Sequence, residues 1–287
     1  MTIRENRSAA NASANVDAAT VVSFGDEWSH FDQSALSKAE LARAFSVYFK
    51  IFPWDALPDD AEGFDMGCGS GRWAQLVASR VGTLNCIDAS AEALSVARRT
   101  LADHDNVRFL HAPANAVPLP RASQDFGYSL GVLHHIPDTE AALRACVALL
   151  KPGAPLLVYL YYRFDNRPCW FRMIWRGSET FRAVISKLPS WLKPLVTDVI
   201  AVLAYLPLAR LALLGKRLGL EMKAVPLYYY HDKSFYTMRT DSRDRFGTPL
   251  EQRLTRSEIE AMMKRAGLVE IEFLEEEPYW CAVGRKN

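Results

Sequence analysis

The stretch FDMGCGSGRWA, Phe64 to Ala74, sets glycines at alternate positions 67, 69 and 71, two residues after the acid Asp65. A short apolar run, Gly63–Met66, precedes the glycines, and a helical pattern, Arg72–Val81, follows them. A strand that ends in a glycine turn and opens a helix is the first half of a βαβ unit. The next apolar run, Thr83–Asp88, ends in a second acid, 21 residues after Gly67. A carboxylate at that place can accept both hydroxyls of a ribose.

The pattern repeats outward. Short strand-like runs at Val107–His111, Asp125–Leu130 and Pro155–Tyr161 alternate with helical patterns at Ser90–Ala102 and Asp138–Leu150. Ser90 and Asp138 are suited to cap those helices, and Lys151–Gly153 (KPG) stops the second. Such alternation predicts an α/β fold with a doubly wound, mostly parallel, Rossmann-like sheet. After a capping box from Thr255 to Glu258, two runs, Val269–Glu275 and Tyr279–Gly284, are joined by a short turn. They predict a terminal antiparallel hairpin, which makes seven strands.

Which nucleotide the loop would hold depends on two residues. A dinucleotide loop reads G-x-G-x-x-G, and here Arg72 occupies the third glycine position. Asp65 would repel a pyrophosphate but welcome a cationic amino group, which fits S-adenosylmethionine better.

The chain has 287 residues, 49% hydrophobic and 23% charged, enough for one large domain with an insertion. With 34 basic against 33 acidic residues, it has no long-range field to draw it onto nucleic acid, although local basic patches stay open. Five scattered cysteines (68, 86, 146, 169 and 281) form no C-x-x-C pair and no zinc spacing. They read as reduced thiols in a cytoplasmic protein without a metal. The polar N-terminus lacks the apolar core of a signal peptide and reads as a disordered tail over residues 1–20. Residues 21–60 read as N-terminal lid helices, 61–161 as the cofactor-binding core, and 251–287 as its closing helix and strands.

In combination, FDMGCGSG, CIDAS (Cys86–Ser90), GVLHHIPD (Gly131–Asp138) and LLKPGAPLLVY (Leu149–Tyr159) resemble the class I S-adenosylmethionine-dependent methyltransferases. The similarity covers about residues 62–160 and 250–284, and is nearest to the branch acting on small molecules such as quinones and natural products. The resemblance implies that Asp65 sits near the methionine amino group, with Gly67, Gly69 and Gly71 forming the loop around it. It implies Asp88 on the ribose, Ala89 on the adenine and Leu130 near the sulfonium. Pro113 stands where an acidic adenine contact is usual, so that contact falls to the Ala114 backbone or to Asn115. His135 is the candidate general base if the acceptor is a hydroxyl, against a purely positioning role. Oxygen is the first choice of accepting atom, with nitrogen, carbon and sulfur open.

Trp28 and Phe31, at i and i+3, share a helical face and read either as packing on the sheet or as a lid over the cofactor. Residues 162–250 break the alternation and read as a mostly helical insertion over the strand ends. From it and the end of the fifth strand come the candidate acceptor contacts: Tyr159, Tyr161, Tyr162, Tyr230, Lys233, Tyr236 and Arg239. Lys233 and Arg239 are assigned to an acidic group on the acceptor. The apolar run Leu195–Leu214 is interrupted by Asp198, Pro207 and Arg210. It reads as one or two buried helices walling the pocket or forming a dimer contact, with peripheral membrane contact as the alternative.

Overall fold

The computed structural model describes residues 15–287. Most of the tail expected over 1–20 therefore lies outside the described residues. Its last residues are helical, because Asp17 caps α1 (Ala18–His30) by accepting from Thr20 N at 2.7 Å. A second N-terminal helix follows, α2 (Lys38–Tyr48), capped by Ser37.

The sheet has seven strands: β1 (Glu62–Met66), β2 (Thr83–Asp88), β3 (Val107–His111), β4 (Phe126–Leu130), β5 (Pro155–Tyr159), β6 (Leu268–Phe273) and β7 (Cys281–Lys286). They lie in the order β3-β2-β1-β4-β5-β7-β6. The first five are parallel, and β7 runs antiparallel to both β5 and β6, as the terminal hairpin requires. The order reverses between β1 and β4, so their carboxyl ends diverge into a crevice. The glycine loop sits at that point.

Crossovers carry α3 (Ala74–Val77), α4 (Ala91–Thr100) and α5 (Thr139–Leu149). Ser90 and Asp138 cap the latter two through Ala93 N and Ala141 N. The helix expected over Arg72–Val81 is shorter. Arg72 and Trp73 lie in the turn closed by Gln75 N to Gly71 O ahead of the helix, and a 3-10 turn replaces the last residues. The fifth strand also ends early, at Tyr159. From there the chain swings away to pair Tyr162 with Leu254, which ties Tyr161 and Tyr162 to the segment that leads into the last helix.

One face of the sheet buries Phe45, Phe49, Phe52 and Trp73, and the other Leu143, Val147, Ile259 and Met263. The insertion is helical as expected: α6 (Cys169–Ile185), α7 (Lys193–Ile200), α8 (Leu206–Arg217) and α9 (Phe235–Gly247). It has its own small core of Ile185, Tyr205, Ala209, Met238 and Phe246. A π-helical turn at Ala201–Tyr205 joins α7 and α8 into one rod. The expectation of buried helices over 195–214 needs correction, since only one side of this rod is buried. Thr197, Ala201, Tyr205, Ala209 and Ala212 face inward, while Leu195, Val199, Val202, Leu203, Leu211 and Leu214 are exposed. The last helix, α10 (Arg256–Arg265), carries the reciprocal capping box of Thr255 and Glu258.

Candidate active site

A cavity of about 590 Å³ lies over the carboxyl ends of β1, β2 and β4, roofed by α1 and walled by the insertion. Its size falls within the roughly 300–1,000 Å³ usual for small-molecule sites.

The floor is the glycine loop. Gly67 and Gly69 have φ of +76° and +54°, conformations that strain any residue with a Cβ. A methyl group added at Gly67 would reach within 2.4 Å of Val132, and one at Gly69 within 2.9 Å of the Trp28 indole. The loop is held open by Asp88, whose Oδ2 accepts from Gly69 N at 2.9 Å and whose Oδ1 accepts from Ser90 N at 2.8 Å. Each carboxylate oxygen keeps a further lone pair. Burial raises the Asp88 carboxyl above its ordinary range, against those two backbone donors. Ala89, Ala114 and Leu130 line the same part of the wall, and Trp28 closes it from above.

Three candidates from the loop region stand outside this wall. Gly71 faces α4, where a methyl group would meet Leu101 at 3.0 Å, so its role is helix packing. Asn115 follows Ala114 in the turn closed by Ala116 N to Pro113 O, and only Ala114 reaches the cavity. Asp65 lies behind the loop at 2% exposure, with Oδ2 buried and without a hydrogen-bond partner. Burial pushes its carboxyl up to about 8, the Asp88 charge adds to the rise, and Tyr128 opposes it. An orphaned carboxylate oxygen next to a positive-φ cradle suits a cationic group.

Across the cavity, His135 occupies a tight turn after β4, held by His135 N to Val132 O at 2.9 Å. Its Nδ1 donates to Leu250 O at 2.6 Å, which in the neutral ring makes Nε2 the acceptor nitrogen. That Nε2 is buried, lacks a hydrogen-bond partner and lies 3.8 Å from Asp244 Oδ1. Asp244 accepts a short hydrogen bond from Tyr161 Oη, and burial raises its carboxyl above the ordinary range. The ring of Phe24, from α1, meets His135 edge-on at 4.9 Å. His134 is wholly buried and kept neutral by that burial; it supports Tyr161, with ring centroids 3.9 Å apart.

Tyr159, Tyr161, Tyr162, Tyr230 and Lys233 all line the cavity. Lys233 stands 5.1 Å over the Tyr229 ring and 3.5 Å from Asp232. Two expected contacts do not reach it. Arg239 is tied bidentately to Asp198 of α7, at 2.8 and 2.6 Å, and stacks on Phe31. Tyr236 turns its hydroxyl to Gln33 N and its ring edge to Phe31. Both serve the contact between α9, α7 and the end of α1. Phe31, just past the end of α1, belongs to that contact, whereas Trp28 lines the cavity.

Sequence reasoning missed Glu27, Asp241 and Asp244, three acids that line the cavity. Asp241 and Asp244 stand at i and i+3 on α9, a spacing that puts them on one face. That spacing was the available signal. Burial pushes Asp241 up to about 6 and Glu27 well above its ordinary value.

A family model described as "Methyltransferase domain" matches residues 64–158. An uncharacterized methyltransferase of Mycobacterium tuberculosis is 36% identical over 97 residues, which are 34% of this chain and 49% of that protein. The chain thus spans about half the length of its mycobacterial relatives. A ubiquinone biosynthesis O-methyltransferase of Stutzerimonas stutzeri is 30% identical over 162 residues, covering 51% of this chain and 69% of the relative. Among solved structures, a chain from a Haloferax volcanii complex of a methyltransferase activator superposes with a TM-score of 0.51 at 14% identity. It covers 91% of this chain and 96% of its own, which shows the fold.

Proposed function

We propose that this chain, which belongs to the class I S-adenosylmethionine-dependent methyltransferases, methylates a hydroxyl oxygen on a small, ring-bearing acceptor. The observation that carries the choice of oxygen is the buried Nε2 of His135, without a hydrogen-bond partner beside Asp244 while Nδ1 is taken up by Leu250 O.

The cofactor fits the residues present. The Gly67–Gly69 backbone would receive its methionine portion and Asp88 its ribose hydroxyls, while Asp65, buried behind the loop, would act on the ammonium group as a nearby opposite charge. Ala89, Ala114 and Leu130 would border the adenine and the sulfur. When bound, it supplies an electrophilic methyl group on a sulfonium, so the protein's task is alignment and exclusion of water.

On the acceptor side, His135 Nε2 takes the hydroxyl proton, and Nδ1 stays donated to Leu250 O. The imidazolium then faces the Asp244 carboxylate, which stabilises it as a close opposite charge. Tyr161 fixes the orientation of Asp244 through the latter's other oxygen. Tyr159, Tyr162 and Tyr230 offer ring faces and edges to a flat acceptor, each with a hydroxyl that can keep a polar substituent. The ubiquinone O-methyltransferase relatives favour the same atom and acceptor class.

The test is formation of S-adenosylhomocysteine with a panel of monophenols and catechols. His135→Ala and Asp244→Asn should lower kcat by about 10²-fold or more while leaving cofactor affinity within twofold. Unchanged turnover in His135→Ala at pH 7 would remove the base from the reading. A second reading, transfer to an amine, draws on Asp241, an acid on the acceptor wall. Turnover of primary amines but of no phenol would establish it.

A further inference from the structure

Among the described residues, sixteen large hydrophobic side chains are exposed, and fourteen of them lie between residues 170 and 220. The same segment holds eight basic and two acidic residues in a chain whose net charge is +1. The near-neutral total therefore hides a cationic, apolar outer surface on the insertion.

The surface is regular. On α6 the exposed residues Trp170, Met173, Ile174, Phe181 and Val184 recur at helical spacing and share one face. On the α7–α8 rod, the π-helical turn inserts one residue and so re-registers the second half. Leu195, Val199 and Leu203 before or within the turn, and Leu211 and Leu214 after it, thus stay on the side away from the buried row. Arg172, Arg176, Lys187, Lys216 and Arg217 are exposed around these faces, as is Trp191 at 75%.

We propose that this surface docks, in the plane of the interface, onto a lipid bilayer containing anionic headgroups. Apolar faces sunk among acyl chains, basic residues at the headgroups and tryptophans between them are the pattern such binding needs. The rod is long and apolar enough to span a bilayer, yet its inner row is fixed to the protein. Lys193 Nζ donates to Gly247 O at 2.9 Å, and Asp198 holds Arg239. A second copy is disfavoured as the occupant, because a two-fold contact would bring two like-charged rims together, whereas an anionic surface neutralises them.

The docking face is continuous with the cavity. Ile174 is 55% exposed and also lines the cavity, as do Phe171 and Trp175 beside it and Ile200, Ala204 and Leu208 on the rod. An acceptor with a long apolar tail can then pass from the bilayer to the site without crossing water. This admission route rests on the acceptor reading above; bilayer binding does not.

The experiment is co-sedimentation of the full chain with vesicles of phosphatidylcholine alone, or with one quarter phosphatidylglycerol. The chain should bind the anionic vesicles, and less so at raised salt. Leu203→Glu with Leu211→Glu should weaken binding more than tenfold. Charge reversal of Arg172, Arg176 and Lys187 should cost about fivefold or more per residue. Homocysteine-product binding unchanged by either variant shows that it is folded, and keeps this test separate from that of the activity. No wild-type binding to anionic vesicles, or equal binding by the folded variants, overturns the proposal. So does a dimer in light scattering that Leu203→Glu with Leu211→Glu dissolves while vesicles bind nothing.

Discussion

Asp65 gives the site a proton to exchange. With its carboxyl pushed up to about 8, some nine in ten molecules carry a proton there at pH 7. Seating an ammonium beside it should return the acid to the ordinary range near 4, so binding should release about 0.9 proton at pH 7. Release should fall to about half a proton at pH 8 and vanish above pH 9. Ionising the group at pH 7 costs about 1.4 kcal/mol, so affinity should improve about tenfold per pH unit between pH 5.5 and 7.5, then level off. Calorimetry with S-adenosylhomocysteine in buffers of different ionisation enthalpy reads the proton count directly. The ligand's own ammonium exchanges protons with the opposite sign at alkaline pH, and Asp65→Asn isolates it. A buffer-independent enthalpy at pH 7, or the same slope in Asp65→Asn, would refute the reasoning.

The same carboxyl affects stability with the opposite consequence. Its folded value lies above the unfolded one, so the ligand-free protein should lose stability as pH rises from about 4 to about 8, and Asp65→Asn should flatten that part of a denaturation–pH curve. Asp88→Ala removes both the proposed ribose contacts and the clasp on Gly69 N, and should weaken S-adenosylhomocysteine binding by about 10²-fold in calorimetry. Gly69→Ala should weaken it at least tenfold, since the methyl group meets Trp28 in a strained backbone conformation. Arg243 is 1% exposed and pairs with Asp26, which keeps some solvent. Asp26→Ala, which strands the buried guanidinium, should therefore cost about 3 kcal/mol in urea titrations, more than Arg243→Met.

The sheet was legible because strands, caps and glycine turns are local signals. Ser90, Asp138 and the Thr255–Glu258 box each name a helix start within four residues of sequence. The glycine-loop floor of the cavity was legible for the same reason, since one loop and one strand end build most of it. The acceptor side was not. Arg239 resembled a free cation until Asp198, 41 residues away, was found to hold it. Asp244 was hidden in a charge run, and only the three-dimensional meeting of α9 with the turn after β4 pairs it with His135. Burial, too, is a tertiary property: the sequence marks Asp65 as acidic, but only the packed loop pushes its carboxyl above the ordinary range.

The roof helix α1 touches every part of this arrangement. Trp28 lies against Gly69, Phe24 against His135, and Asp26 and Ser23 against α9 and its end. α1 thus roofs the glycine-loop side and the His135 side of one cavity, whose insertion wall opens separately past Ile174. A change that loosens α1, such as Asp26→Ala, should therefore disturb Trp28 over Gly69 and Phe24 against His135 together.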